Sequence, residues 1–194
     1  MKDLKTILLG AGLLAMMACN DAATDADNDK DSLGVNENRT DTSTTATGTA
    51  LAEKDAQFLS EVAASNMAEV KLSQLAQQKG TNQEVKDIAK MLETDHSAVL
   101  GEVRSFASGR SVSLPAEEKE DARDMHNKLN AKTGKEFDKD WCEHMVDMHQ
   151  KSIKKFEDAQ NDLNDADLKA WVGNTLPKLR THLDKLKECD KKLK

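Results

Sequence analysis

FDKDWCEHMVDMHQKSIKKFE, residues 137–157, decides the fold class of this chain. Nonpolar side chains recur in it at alternating steps of four and three residues, which an α-helix brings to one face. The stripe continues beyond the end of the segment and comprises Cys142, Val146, His149, Ile153, Phe156, Gln160 and Leu163. The pattern predicts a long amphipathic helix that packs in a bundle.

The rest of the chain predicts four more helices. Aromatic residues make up only 3% of the sequence, and glycine and proline are scarce, which is typical of helical proteins and rare in sheet proteins. Gly80, Gly109 and Gly134 mark helix ends, and Thr81 with Glu84 forms a capping-box pattern. The predicted helices are 52–78, 81–107, a shorter one over 115–131, 135–162 and 166–191.

Each long helix places one ionisable side chain near the middle of its nonpolar stripe: Glu69, His96, His149 and His182. Short turns predict two antiparallel hairpins, and the long connection over 109–134 makes the second and fourth helices parallel. This is the arrangement of ferritin-like four-helix bundles, here with a short extra crossover helix. The other stripe members are Phe58, Val62, Ser65, Leu72, Ala76; Val85, Ala89, Leu92, Val99, Val103, Phe106; and Leu168, Val172, Thr175, Leu179, Leu186, Cys189, Leu193.

The four ionisable groups are expected at similar heights in the bundle. Helical side chains lean toward their own N-terminus, which should bring Glu69 and His96 together. The same lean should separate the tips of His149 and His182, which argues against one tight site. His144 lies about 140° around the helix from His149, so we expect it to face solvent.

The domain resembles a bacterial group, domain-of-unknown-function family 4142, whose members are exported and ferritin-like in fold. The Asp95-His96 pair and His182 match motif positions of that group, whereas Met148 stands where aspartate is usual. The resemblance implies the fold and no reaction. The matching segments are FLSEVAASNMAEVKLSQLAQQKG (58–80), VKDIAKMLETDHSAV (85–99), FDKDWCEHMVDMHQKSIKKFE (137–157) and LPKLRTHL (176–183).

Two interpretations of the buried groups stay open. The favoured one is a structural polar layer in a helical binding or spacer module, because histidines on nonpolar stripes are usually hydrogen-bonded core residues. The alternative is a mononuclear zinc, copper or iron site. Its ligands would be Glu69, His96, His149 and His182, with Glu93 and Asp95 as secondary candidates.

Enzymatic activity has little support in the sequence. Di-iron carboxylate bundles carry Glu-x-x-His motifs on two helices, but the inward-facing histidines offer only one, Glu93 to His96. No serine or cysteine sits in a setting that would activate it as a nucleophile, and no glycine-rich phosphate loop is present. A net charge of -7 without a basic stripe argues against nucleic acid as a partner.

Residues 1–19 are expected to be a lipoprotein-type signal peptide. Lys2 and Lys5 precede an uncharged stretch that is too short to span a membrane, and LLAMMAC resembles a lipobox that ends at Cys19. Residues 20–51 are a polar, acidic segment, which predicts a disordered tether. We therefore expect residues 52–194 to be held at a bacterial cell envelope, at the outer membrane or its periplasmic face, by lipid on Cys19. No protein partner can be named.

The expected export affects the oxidation state that we predict for the other two cysteines. Cys142 and Cys189 lie on inward stripes of neighbouring antiparallel helices, at positions that face each other across the turn between them. An oxidising compartment favours a disulfide between them. Two free buried cysteines are the alternative, since helix axes 8 to 10 Å apart can leave Cα atoms too distant for a bond.

Overall fold

The computed structural model describes residues 50–194, which form five helices. No strand occurs in these residues, so the prediction of an all-α bundle is confirmed. None of the helices described is long and nonpolar enough to cross a membrane. The predicted signal peptide, Cys19 and nearly all of the tether lie outside the described residues. The helices are α1 (Glu53–Lys79), α2 (Gln83–Ala107), α3 (Glu120–Asn130), α4 (Gly134–Asp162) and α5 (Ala166–Leu193).

Two helix starts differ from the prediction. The N-cap of α2 is Asn82, not Thr81, because the Asn82 side chain accepts hydrogen bonds from the amides of Glu84 and Val85. The short helix α3 begins at Glu120 and not near residue 115. The residues just before it are not helical, and buried Glu118 among them pairs with Lys71 of α1.

Two buried aspartates join the hairpins α1–α2 and α4–α5. Asp55, near the start of α1, accepts hydrogen bonds from the amides of Asn164 and Asp165 in the α4–α5 turn, at 3.0 and 2.8 Å. Asp138, near the start of α4, accepts the amides of Thr81 and Asn82 in the α1–α2 turn, at 3.0 and 2.9 Å. Each hairpin thus caps the turn of the other. The start of α4 therefore lies beside the start of α2, which confirms that these two helices are parallel.

The two hairpins repeat one pattern. Asp138 follows Asp55 by 83 residues (138 − 55), and the N-cap Asp165 follows the N-cap Asn82 by the same 83 (165 − 82). Sequence reasoning missed both capping aspartates, since a carboxylate on a charged helix is normally read as surface. Both are only 1% exposed. The bundle is therefore a pseudo-twofold arrangement of two hairpins.

The core consists of two nonpolar clusters with a polar layer between them. One cluster lies at the α4–α5 turn and includes Phe58 and Leu168, and the other lies at the α1–α2 turn and includes Leu92 and Trp141. The predicted stripes of α1, α2 and α5 are confirmed apart from Ser65, Phe106 and Leu193, which are only partly buried. The stripe of α4 was partly wrong. Its inward line runs through Asp138, Trp141, Cys142, Met145, His149, Phe156 and Ala159, while Val146, Ile153 and Gln160 lie on the flanks or outside.

Cys142 and Cys189 face each other, as predicted, but the predicted disulfide is not formed. Both are free, buried cysteines whose Sγ atoms lie 3.0 Å apart. A disulfide bond would need a separation of about 2.05 Å. The structure therefore corresponds to the dithiol form, with the two sulfur atoms in contact inside the cluster at the α1–α2 turn.

The Asp138→Ala variant is expected to lose about 1–3 kcal/mol of unfolding free energy, because the turn amides of Thr81 and Asn82 would lose their buried acceptor. Urea unfolding followed by circular dichroism measures the loss. Asp124→Ala is the matched control, since Asp124 is exposed on α3. Equal unfolding midpoints for the two variants would contradict the capping role.

Candidate metal centre

Three histidines from three helices converge in the polar layer. His96 of α2, His149 of α4 and His182 of α5 are each at most 2% exposed. Their ring centroids lie 5.3, 5.4 and 5.5 Å apart, almost an equilateral triangle. One ring nitrogen of each lies within 4.8 Å of those of the other two. The lean toward helix N-termini does not separate His149 from His182, so that expectation was wrong.

The orientation of His96 is set by α1. Asn66 donates its side-chain amide to the Val62 carbonyl at 2.8 Å, which leaves its Oδ1 as an acceptor. His96 Nδ1 lies 2.8 Å from that Oδ1 and must therefore donate. A neutral imidazole carries one proton, so His96 Nε2 is left with a free lone pair.

The other two histidines are fixed in the same manner by different partners. His149 Nδ1 donates to the Met145 carbonyl at 3.0 Å, one turn back on α4. His182 Nε2 donates to Asp95 Oδ2 at 2.8 Å, across the α2–α5 interface. The remaining nitrogens, Nε2 of His149 and Nδ1 of His182, then carry lone pairs. These bonds hold both rings in place and override the backward lean of the side chains.

Most of the buried polar atoms without a hydrogen-bond partner lie in this layer. In residues 50–194, six buried side-chain oxygen or nitrogen atoms lack a hydrogen-bond partner. Four of the six are in this layer: Glu69 Oε2, His96 Nε2, His149 Nε2 and His182 Nδ1. Buried polar atoms are normally paired, so four such atoms in one layer require an explanation.

Glu69 completes the layer from α1. Its Oε2 lies 3.2 Å from His96 Nε2 and 3.5 Å from His149 Nδ1, and its Oε1 accepts from Ser65 Oγ at 3.3 Å. The predicted meeting of Glu69 and His96 is confirmed. Glu69 therefore borders the three histidines and could supply a carboxylate ligand with a small movement of its side chain.

Burial favours the uncharged form of every group in the layer. It raises the pKa of Glu69 to about 8, and it lowers the pKa of His149 to about 4. The pKa of His96 lies well below its usual range, through burial and then through the neighbouring histidines. Burial also lowers the pKa of His182, although the hydrogen bond to Asp95 opposes this. The close contact of His96 with Glu69 is thus between neutral groups, and a proton on Glu69 Oε2 would be donated to His96 Nε2. Nε2 of His149 and Nδ1 of His182 are then the nitrogens of the layer that lack a partner.

The two secondary candidate ligands, Asp95 and Glu93, lie in different places. Asp95 lies in contact with the layer, but it bonds to His182 and not to Glu69 or His96. Glu93 is elsewhere, because its carboxylate accepts hydrogen bonds from Gln74 and Gln77 of α1. Asn66 was missed as a partner of His96, although its place on α1, three residues before Glu69, faces the same layer.

Fold and site together define a four-helix bundle of two capped hairpins with three buried histidines and one buried glutamate at its centre. The family model described as Domain of unknown function (DUF4142) matches residues 40–189, and the chain belongs to this family. No curated protein matches the chain, and no solved structure matches it.

The hydrogen bonds predict the tautomers of the three histidines. His96 and His149 should carry the proton on Nδ1, and His182 on Nε2. Long-range ¹H–¹⁵N correlation spectra of metal-free protein distinguish the two forms at neutral pH. Asn66→Ala should release the tautomer of His96 and leave that of His149 unchanged. An Nε2–H form of His149 would be incompatible with the structure.

Proposed function

We propose that the protein binds one transition-metal ion, zinc, copper or iron, through His96, His149 and His182, with Glu69 as fourth ligand. The observation that carries the proposal is the convergence of three buried ring nitrogens and the Glu69 carboxyl in one layer, where the facing nitrogens of His149 and His182 have no hydrogen-bond partner. Imidazole nitrogen and carboxylate oxygen are common ligands of all three ions. A bound ion would give the nitrogens of His149 and His182 their missing partner.

The size of the layer suits a single ion. Bonds of about 2.0–2.1 Å in a tetrahedral site place ligand atoms about 3.3 Å apart. The three nitrogens lie within 4.8 Å of one another, so an inward shift of each ring by less than one bond length would be enough. Glu69 Oε2 is already 3.2 Å from His96 Nε2.

The surroundings also suit a metal. Metal-ligating histidines almost always donate their second ring nitrogen to a carbonyl or carboxylate, which orients the ring. Here the acceptors are Asn66 Oδ1, the Met145 carbonyl and Asp95. Four protein ligands in a closed core resemble structural sites, because catalytic zinc sites keep one position for water. We therefore propose a holding role and no reaction.

The structural polar layer is the second candidate. Its support is the pair of bonds that connect different helices, Asn66 to His96 and Asp95 to His182, which would fix the helix register without any ion. It does not account for the unpaired nitrogens of His149 and His182, each of which costs about 1–3 kcal/mol when buried without a partner. The metal proposal is therefore preferred.

The proposal also includes the cellular location of the protein. We propose that lipid on Cys19 holds the bundle at a bacterial cell envelope through the acidic segment over 20–51, which rests on the lipobox-like LLAMMAC. In an oxidising compartment Cys142 and Cys189 would pass two electrons and two protons to a disulfide-exchange oxidant and form a disulfide. Because their Sγ atoms already lie 3.0 Å apart, the bond would form with only a small movement of the two side chains.

Protein equilibrated with zinc and then dialysed is expected to retain one ion per chain by elemental analysis. Copper(II) should bind more tightly than zinc, and iron(II) more weakly. Zinc at 100 times its dissociation constant should stabilise the fold by about 2.7 kcal/mol in urea unfolding. The double variant His96→Ala, His149→Ala should retain none, while the control His126→Ala, on α3, should retain one.

Matched carboxylate variants refine this metal test. Asp95→Ala should weaken zinc binding about 10- to 100-fold, because His182 loses the acceptor that orients it. Glu93→Ala, two residues away and bonded to glutamines, should bind zinc as the wild type does. Protein that retains no metal while its histidines keep their tautomers would favour the structural layer instead.

Intact-protein mass spectrometry of chain purified from membranes without reductant tests the location. It should show lipid on an N-terminal Cys19 and a mass two hydrogens lower than that of the dithiol form. Cys19→Ser should abolish the lipid adduct and move the protein out of the membrane fraction. Unmodified Cys19 in membrane-bound protein would contradict the anchor, and two free thiols in exported protein would contradict the disulfide.

A further inference from the structure

A cavity of about 480 Å³ lies between α1, α3 and α4. This volume is within the range of roughly 300–1,000 Å³ that small-molecule sites occupy. Val62, Ala68 and Phe156 are nonpolar residues of its lining that the bundle itself buries, and the half-buried Met125 and Met148 also line it. Methionine side chains adapt to irregular nonpolar ligands. The cavity therefore suits a flexible hydrocarbon group.

The charged residues that line this cavity are mostly basic, although the chain as a whole is acidic. Four lysines and two acids line it, against a net charge of -7 for the protein. Lys155 pairs with Glu61. Lys119, Lys128 and Lys151 are exposed and form no ion pair among the described residues. A ligand with an anionic head would meet three lysines that form no ion pair in residues 50–194, against one lining carboxylate, Asp121, that is not paired with a lysine.

The third helix covers the cavity only lightly. Leu129 is the one fully buried residue of α3, whereas every other helix of the bundle buries eight or more. Helices with few buried nonpolar contacts open at low free-energy cost. An entering ligand could displace the Met125 side of α3 while the Lys79 bond to the Asn130 carbonyl still holds its end.

His144 belongs to the same cavity. It was expected to face solvent, but it lies half-buried in the lining beside Lys151, and burial lowers its pKa. A neutral imidazole can donate a hydrogen bond to an anionic head without adding a fourth free charge. One face of α4 thus places His149 in the polar layer, and a neighbouring face places His144 and Met148 in the cavity.

We infer that this cavity binds a single-chain amphiphile with a carboxylate head, a fatty acid, with its chain against Met125, Met148 and Phe156 and its head at the lysines. Free carboxylate and three unpaired ammonium groups provide the charge complementarity, and the nonpolar lining accepts the chain. The site is separate from the histidine layer and needs no metal. A failure of the proposed metal binding would therefore not contradict this inference, and the reverse also holds.

Dodecanoate, below its micelle-forming concentration, is the probe, titrated into metal-free full-length protein with ¹³C-labelled methionine methyl groups. Two of the eight methionines, Met125 and Met148, line the cavity, and their methyl signals should shift and saturate together. Dodecyltrimethylammonium has the same chain and the opposite charge. Its affinity, measured from the same methyl signals, should be at least tenfold lower. Binding of dodecanoate should also weaken as salt is raised.

Charge-reversal variants locate the head group. Lys128→Glu with Lys151→Glu should weaken dodecanoate binding about tenfold, since each exposed charge contributes a few-fold. Lys90→Glu with Lys187→Glu carries the same charge change on exposed lysines of α2 and α5 and should bind as the wild type does. Ala122→Trp, at a half-buried lining position of α3, should block binding without touching the core.

Three results would overturn the inference. Equal affinity for the anionic and cationic amphiphiles would show that the lysines do not select the head. Binding without shifts of the Met125 and Met148 methyl signals would place the amphiphile elsewhere on the chain. Equal losses in the cavity and control lysine pairs would reduce the effect to the net charge of the protein.

Discussion

The reciprocal capping of the two hairpins by Asp55 and Asp138 is the constraint on which the rest of the structure depends. Each carboxylate comes from the first turns of one hairpin and satisfies two backbone amides in the turn of the other. Buried amides have to be paired, so this contact fixes which ends of the hairpins meet. Once the ends meet, the midpoints of the four long helices fall at one height. The polar layer is a consequence of that register.

The pseudo-twofold arrangement relates some residues of the layer but not all of them. Asn66 and His149 are 83 residues apart (149 − 66), like the capping aspartates, and both donate to the carbonyl one turn back on their own helix. The counterpart of His96 would be residue 179, which is leucine, and the counterpart of His182 would be residue 99, which is valine. A symmetric layer would offer ligands in matched pairs, as two-metal bundles do. The broken symmetry leaves three nitrogens and one carboxylate, a donor set for one ion.

The stripes of α1, α2 and α5, and the single ionisable group in each long helix, could be predicted from the sequence because helical periodicity reports burial directly. The stripe of α4 was predicted less well. A helix of 3.6 residues per turn drifts from a strict 4-3 spacing, and Trp141 and Met145 took the place of Val146 and Ile153.

The hydrogen-bond partners of the histidines could not be predicted in the same way. Whether Asp95 bonds to His96 or to His182 depends on which faces meet, and periodicity within one helix does not contain that information. In the structure Asp95 is hydrogen-bonded to His182, and His96 is hydrogen-bonded to Asn66. The ring orientations, and with them the direction of the free nitrogens, follow from these choices. The three facing nitrogens could therefore be recognised only from the structure.

The first helix connects the two sites that the structure suggests. Ser65 and Asn66 line the cavity beneath α3, and they also bond to Glu69 and His96 in the layer. The layer is closed to solvent, and its groups are neutral when no ion is bound, so an ion that enters brings charge into the core. Because Ser65 and Asn66 belong to the lining of the cavity and to the layer, α1 is the element through which occupancy of one site could alter the other.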